Sequence, residues 1–113
     1  MLDKTTTQAV IEDWLFQTER LIATWEDLSG FFRGNKDVFT WAQMALNSSS
    51  TIEELRNQVE NEIQQIQHRQ IVQQGNLSEY DYGRLKALQS LRLAIDSNND
   101  KFELKRFRTM YNR

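Results

Sequence analysis

Apolar residues recur along this chain with the period of an α-helix. Ile11, Trp14, Thr18, Leu21, Trp25, Leu28 and Phe32 follow one another in alternating steps of three and four, which is the spacing of a heptad seam. Leu15 and Ile22 widen that seam into a globular face. Glu12, Glu19 and Glu26 recur every seven residues on the opposite side. The pattern predicts a first helix from about Thr7 to Ser29. Thr5 and Gln8 have capping-box spacing at its start, and Gly30 supplies its stop. Phe31 to Asn35 reads as a short apolar connection.

A second, short helix is expected from Lys36 to Leu46, with Val38, Trp41, Ala42, Ala45 and Leu46 at i, i+3, i+4, i+7 and i+8. Asn47 to Ser50 is a polar break. A third helix runs to about Gln74 from a capping-box pair at Ser50 and Glu53. Its seam of Ile52, Leu55, Val59, Ile63 and Ile66 is narrow, since Gln and Glu occupy most other positions. Such a stripe suits a two-helix contact. Gly75-Asn76 marks its end.

The fourth helix carries the clearest start in the chain. Ser78 is the N-cap, Glu79 and Asp81 fall in the first turn, and Leu77 with Tyr82 has hydrophobic-staple spacing. Leu85, Leu88, Leu91 and Ile95 form its inner face. A fifth helix is expected from Asp100 to Tyr111, with Leu104, Phe107 and Tyr111 on one side. The expectation is therefore an all-α fold, a compact bundle of about five helices forming one domain over residues 1–113.

Composition supports this picture. Proline is absent, and glycine occurs four times in 113 residues, so few positions interrupt helices. Cysteine is absent, which excludes disulfide frameworks, thiol chemistry and Cys-based zinc sites. No apolar run approaches the length of a membrane span. The first residues show no secretory h-region, and a cytoplasmic location is expected.

The net charge of −2 conceals a division along the chain. Residues 1–66 hold 11 acidic and 5 basic side chains, whereas residues 67–113 hold 5 acidic and 9 basic ones. Such halves can pair with each other, pair with copies of the chain, or present a basic patch to phosphates.

Candidate chemistry is sparse. Asp96, Asn98 and Asp100 imitate the first positions of a calcium loop, but Lys101 stands where the glycine belongs and Phe107 where the bidentate Glu belongs. His68 is the sole histidine, too few for a zinc site without cysteine. The adjacent carboxylate pairs Glu12-Asp13, Glu26-Asp27 and Glu53-Glu54 diverge by about 100° on a helix and do not converge on one substrate. Neither a phosphate loop nor a nucleophilic triad is present. No catalysis, cofactor or metal is expected.

Surfaces are left to act. Arg84, Lys86 and Arg92 lie on the fourth helix, and Lys101, Lys105, Arg106 and Arg108 on the fifth. Lys101, Lys105 and Arg108 share one face. Cations so placed track a phosphate backbone without reading bases. Trp14 and Trp25 on the first helix, with Leu55, Val59 and Ile66 on the third, are the candidates for a protein interface. Three Trp and six Phe strain the interior of a small bundle, so part of that surface is expected to be covered in an assembly.

The segment Leu85-Lys86-Ala87-Leu88-Gln89-Ser90-Leu91-Arg92-Leu93-Ala94-Ile95, followed by Lys101-Phe102-Glu103-Leu104-Lys105-Arg106-Phe107-Arg108, resembles the C-terminal helices of CRISPR effector small subunits. The resemblance lies in an apolar seam combined with Lys and Arg and covers about a quarter of the chain. It implies a compact all-helical subunit that stacks in several copies and touches nucleic-acid backbone through basic side chains.

Two functions are thus expected. The first is a non-catalytic helical subunit of a larger complex, contacting single-stranded nucleic acid or an RNA–DNA backbone through Arg84, Arg92, Lys101, Lys105 and Arg108. The second is a dimeric adaptor or regulator that docks on a protein partner through its apolar seam.

Overall fold

The computed structural model of the chain describes residues 1–25 and 29–97. Among the described residues the protein is all-helical, with α1 at Lys4–Thr24, α2 at Ser29–Asn47, α3 at Ile52–Val72 and α4 at Glu79–Ile95. The fifth helix expected at 100–111 lies outside them.

Pairs of residues across the interfaces fix the helix directions. Trp14 of α1 stacks tilted on Phe39 of α2, with ring centroids 5.3 Å apart, and Gln8 near the start of α1 donates to Asn47 at the end of α2. These two helices are antiparallel. Arg56 near the start of α3 pairs with Asp96 just past α4, and Arg69 near the end of α3 pairs with Asp81 in the first turn of α4, so α3 and α4 are antiparallel as well. Helices α2 and α4 run side by side in the same direction, with Gly30 beside Glu79 and Gly34 beside Tyr80 and Gly83. The chain goes up, down, up and down, as short connections between amphipathic helices favour.

The seams of α3 and α4 pack as their spacing predicts. Ile52, Leu55, Val59, Ile63 and Ile66 of α3 and Leu85, Leu88, Leu91 and Ile95 of α4 are all buried. They join Val10, Ile11, Trp14, Val38, Phe39, Ala42 and Leu46 in one core cluster.

The helix ends differ from expectation for identifiable reasons. Helix α1 begins three residues early, at Lys4. Its N-cap is Asp3, whose carboxylate accepts from the Thr6 amide at 2.7 Å. The chain is already pinned there, because Leu2 is buried and its amide donates to the Ile95 carbonyl at 2.9 Å. A carboxylate at the cap also suits the positive end of the helix dipole. The capping box of α3 is Thr51 with Glu54, one residue later than Ser50 with Glu53. Ser50 is engaged in closing α2. Its amide donates to the Ala45 carbonyl, and Ser49 takes a positive φ of 78°, the arrangement of a helix-ending Schellman turn. The end of α3 repeats the device. Gly75 donates to Gln70 and Gln74 donates to Ile71, with φ of 58° at Gln74 and 89° at Gly75. Ser78 caps α4 as expected, its hydroxyl accepting from the Asp81 amide.

The largest departure is at residues 30–35. Gly30 does not stop a helix, and the expected Phe31–Asn35 connection is the first part of α2. The glycines serve the crossing of α2 and α4. A Cβ on Gly34 would fall inside contact distance of the Tyr80 carbonyl oxygen and 2.8 Å from the Arg84 amide nitrogen, and one on Gly83 would collide with the Phe31 carbonyl. Two helix backbones touch here, which glycine alone permits. Buried Asn35 donates its side-chain amide to the Gly83 carbonyl at 2.5 Å, tying the crossing together.

Candidate partner-binding groove

The proposed backbone-binding arginines are held within the bundle. Arg92 reaches Glu60 at 3.0 Å, and Arg84 reaches Glu62 at 3.1 Å and Asp81 at 3.5 Å. With Arg56–Asp96 at 2.6 Å and Arg69–Asp81 at 3.4 Å they form a ladder of ion pairs along the α3–α4 seam. The Arg56 guanidinium is bound to Asp96 through two nitrogens, and that hydrogen bond and charge raise its pKa further above the ordinary arginine value. Part of the chain's charge division is therefore satisfied between these two helices. Lys101, Lys105 and Arg108 lie outside the described residues.

Four of the five proposed interface residues belong to the interior. Trp14, Leu55, Val59 and Ile66 have no exposed surface. The seam that made them candidates is the face the bundle buries, because each helix satisfies its apolar stripe against its neighbours before any partner is met. Trp25 differs. It is the C-cap residue of α1 and is 54% exposed.

Among the described residues a concave surface lies between α2 and α3. Both helices pack on α4 and touch each other little, so a groove opens between them. At one end a cleft of about 280 Å³ is walled by Asp37, Val38 and Trp41 of α2, Glu62 of α3, and Tyr80, Arg84 and Leu88 of α4. A wider depression continues from it past Thr40, Trp41 and Met44 of α2, and Ser48 just beyond that helix, toward Gln58 of α3. Asp37 and Trp41 border both. On α2 the residues Asp37, Trp41 and Met44 stand at i, i+4 and i+7, one stripe of the helix, and Ser48 follows at i+11 just past its end. Trp41 is half-buried against the core and Met44 is 65% exposed.

The Tyr80 hydroxyl donates to the Asp37 carboxylate at the edge of this cleft. That hydrogen bond, with burial and the negative charge of Asp37 behind it, pushes the phenol pKa above its ordinary value. A phenol so placed stays protonated and holds the carboxylate in one orientation. Arg84 is already balanced by Glu62 and Asp81. The cleft therefore combines aromatic walls with an excess of carboxylate.

Sequence reasoning placed Trp41 on the inner face of its helix and missed Asp37, Met44 and Tyr80. The stripe Asp37-Trp41-Met44-Ser48 was visible as a spacing. It lacked meaning until α3 was known to stand off from it. His68 is exposed on α3. Among the described residues no three His, Asp or Glu side chains are grouped to hold a metal, and no helix is long and apolar enough to cross a membrane.

No known protein family, curated protein or solved structure matches this chain.

Proposed function

We propose that the protein is a non-catalytic interaction module, a subunit or adaptor that receives a helix of a protein partner in the groove between α2 and α3. The observation that carries this reading is the uncovered stripe of α2, where Trp41 and Met44 face a depression the bundle does not fill. From Asp37 to Ser48 the stripe spans about 16 Å at 1.5 Å per residue, room for three turns of a partner helix. Amphipathic helices bind such grooves with apolar anchors every three or four residues. Methionine at the centre suits a surface that must adapt to its guest.

Site-specific photocrosslinking tests this. A benzophenone side chain at Met44 should trap a defined partner in cells, and Trp41→Ala should abolish that adduct. The same group at exposed Glu12 or His68 should not trap it. Adducts that form equally at all three positions, or that survive Trp41→Ala, would remove the groove from consideration.

A second reading retains the nucleic-acid backbone as ligand, in keeping with the resemblance to CRISPR effector small subunits. It is favoured by the basic excess of residues 67–113. With Arg84 and Arg92 engaged by Glu62 and Glu60, it rests on Lys101, Lys105 and Arg108.

A further inference from the structure

We propose that the cleft at one end of the groove, bounded by Asp37, Trp41 and Tyr80, is a receptor for one guanidinium group, an arginine side chain carried by the partner. The inference rests on the groove reading above and supplies the chemistry of its anchor.

Size sets the first limit. Pockets for small-molecule ligands begin near 300 Å³, and this cleft holds about 280 Å³ and opens into the depression beside it. It suits a single side chain entering from the groove better than a cofactor. Charge sets the second. Asp37 and Glu62 face the cleft with Arg84, and Arg84 is already 3.1 Å from Glu62 and 3.5 Å from Asp81. An incoming anion would meet a cation whose charge is balanced from within. Asp37 is the reverse case. It accepts a hydrogen bond from the neutral hydroxyl of Tyr80, and among the described residues it forms no ion pair. A carboxylate has about four acceptor sites, so one phenol leaves room for further donors. Among the described residues no three carboxylate or histidine side chains are grouped to hold a metal.

The walls favour guanidinium over ammonium. Trp41 and Tyr80 both border the cleft, and a planar guanidinium stacks on an aromatic face while donating at its edge. Its hydration is weaker than that of an ammonium, so less is lost on entering a cleft floored by Val38 and Leu88. Tyr80, by fixing the Asp37 carboxylate, removes one rotor that binding would otherwise have to order.

The test uses the whole chain with nitrogen-labelled tryptophan. The Trp41 indole signal is assigned by its loss in Trp41→Phe. N-acetyl-L-arginine amide should shift that signal saturably, while the Trp14 and Trp25 indoles stay in place. N-acetyl-L-citrulline amide, the same shape without the charge, should leave it unmoved at matched chloride. Asp37 is exposed, so Asp37→Asn keeps the fold, and it should weaken arginine binding by about tenfold, in line with loss of a charge-assisted hydrogen bond. Tyr80→Phe should weaken it by a smaller factor. Equal responses to arginine and citrulline, an unsaturable shift, or full binding by Asp37→Asn would overturn the proposal. So would a saturable response to an oligothymidylate with none to arginine. If Met44 crosslinks persist while arginine leaves Trp41 unmoved, the anchor alone is wrong. If arginine binds but Met44 traps nothing, the docking reading falls and the guanidinium site stands.

Discussion

Gly34 and Gly83 meet backbone to backbone where α2 crosses α4. A methyl group on Gly34 would press on the Tyr80 carbonyl and lie 2.8 Å from the Arg84 amide, and one on Gly83 would press on the Phe31 carbonyl. None of these atoms belongs to a side chain that can swing aside. The contact also sets the groove, because the depth at which α2 sits on α4 decides where Trp41 and Tyr80 stand.

Glycine to alanine inside a helix ordinarily stabilises by up to about 1 kcal/mol. At Gly34 or Gly83 the sign should reverse, with a loss of about 3 kcal/mol from overpacking. Gly30 is the control. The nearest atoms there are Glu79 Oε2 at 3.1 Å, the free end of a flexible side chain, and Glu79 Cβ at 3.3 Å, which needs a shift of only a few tenths of an ångström, so Gly30→Ala should change stability by less than about 1 kcal/mol. Urea unfolding followed by circular dichroism measures all three. A stabilised Gly34→Ala would mean the helices do not approach this closely.

The Tyr80–Asp37 hydrogen bond should be readable in a titration. Asp37 and burial raise the phenol pKa, so the folded value exceeds the unfolded value of about 10. For a group raised in this way, the stabilising contribution is complete below the unfolded pKa and is lost as pH climbs through the folded one. Stability should therefore decline at the alkaline end, and less so in Tyr80→Phe. Ring-carbon NMR of labelled tyrosine should show Tyr80 titrating above the ordinary range and returning toward it in Asp37→Asn. An ordinary midpoint for Tyr80 in the native chain would contradict the bond.

Arg84 and Arg92 should behave as structural cations. Replacing either with Gln removes its pair with Glu62 or Glu60 and should lower stability by about 0.5–1 kcal/mol, less at high salt. If the chain binds single strands, those two substitutions should leave the salt dependence of binding unchanged. Replacing Lys101, Lys105 and Arg108 together should flatten that slope by about 2. Loss of affinity in Arg84→Gln at unchanged stability would show that the guanidinium leaves Glu62 for phosphate. Fluorescence anisotropy over a salt series, paired with urea unfolding, separates these results.

Much of the scaffold could be read from spacing. The α3 seam from Ile52 to Ile66, the α4 face from Leu85 to Ile95 and the Ser78 cap all lie where local periodicity and capping chemistry place them. Each depends on residues within a few positions of one another, so no knowledge of the rest of the chain is needed. The Ser50 and Thr51 alternatives were locally equivalent. Only the engagement of Ser50 with Ala45 in ending the previous helix separates them.

The groove was not legible in the same way. Gly30 and Gly34 look like breakers when local propensity alone is considered, since a glycine in an isolated helix costs about 1 kcal/mol. Their helix exists because a second glycine, 49 positions after Gly34, lets α4 come close enough to recover that cost in packing. The tryptophans divide by the same logic. Trp14 and Trp25 share one seam, yet one is wholly enclosed and the other is half exposed, because α2 covers Trp14 through Phe39 while α1 has ended by Trp25.

Amino-acid order alone established the helical class, the inner faces of the last two described helices and the absence of cysteine. These follow from period, propensity and residue type, which are properties of short stretches. Which cations are neutralised, which aromatic rings stay uncovered and where a cleft opens were settled by the packing of distant helices. Charge balance and concavity are relations between elements, and they come into being only when Glu62, Arg84, Tyr80, Asp37 and Trp41 are brought together from three of them.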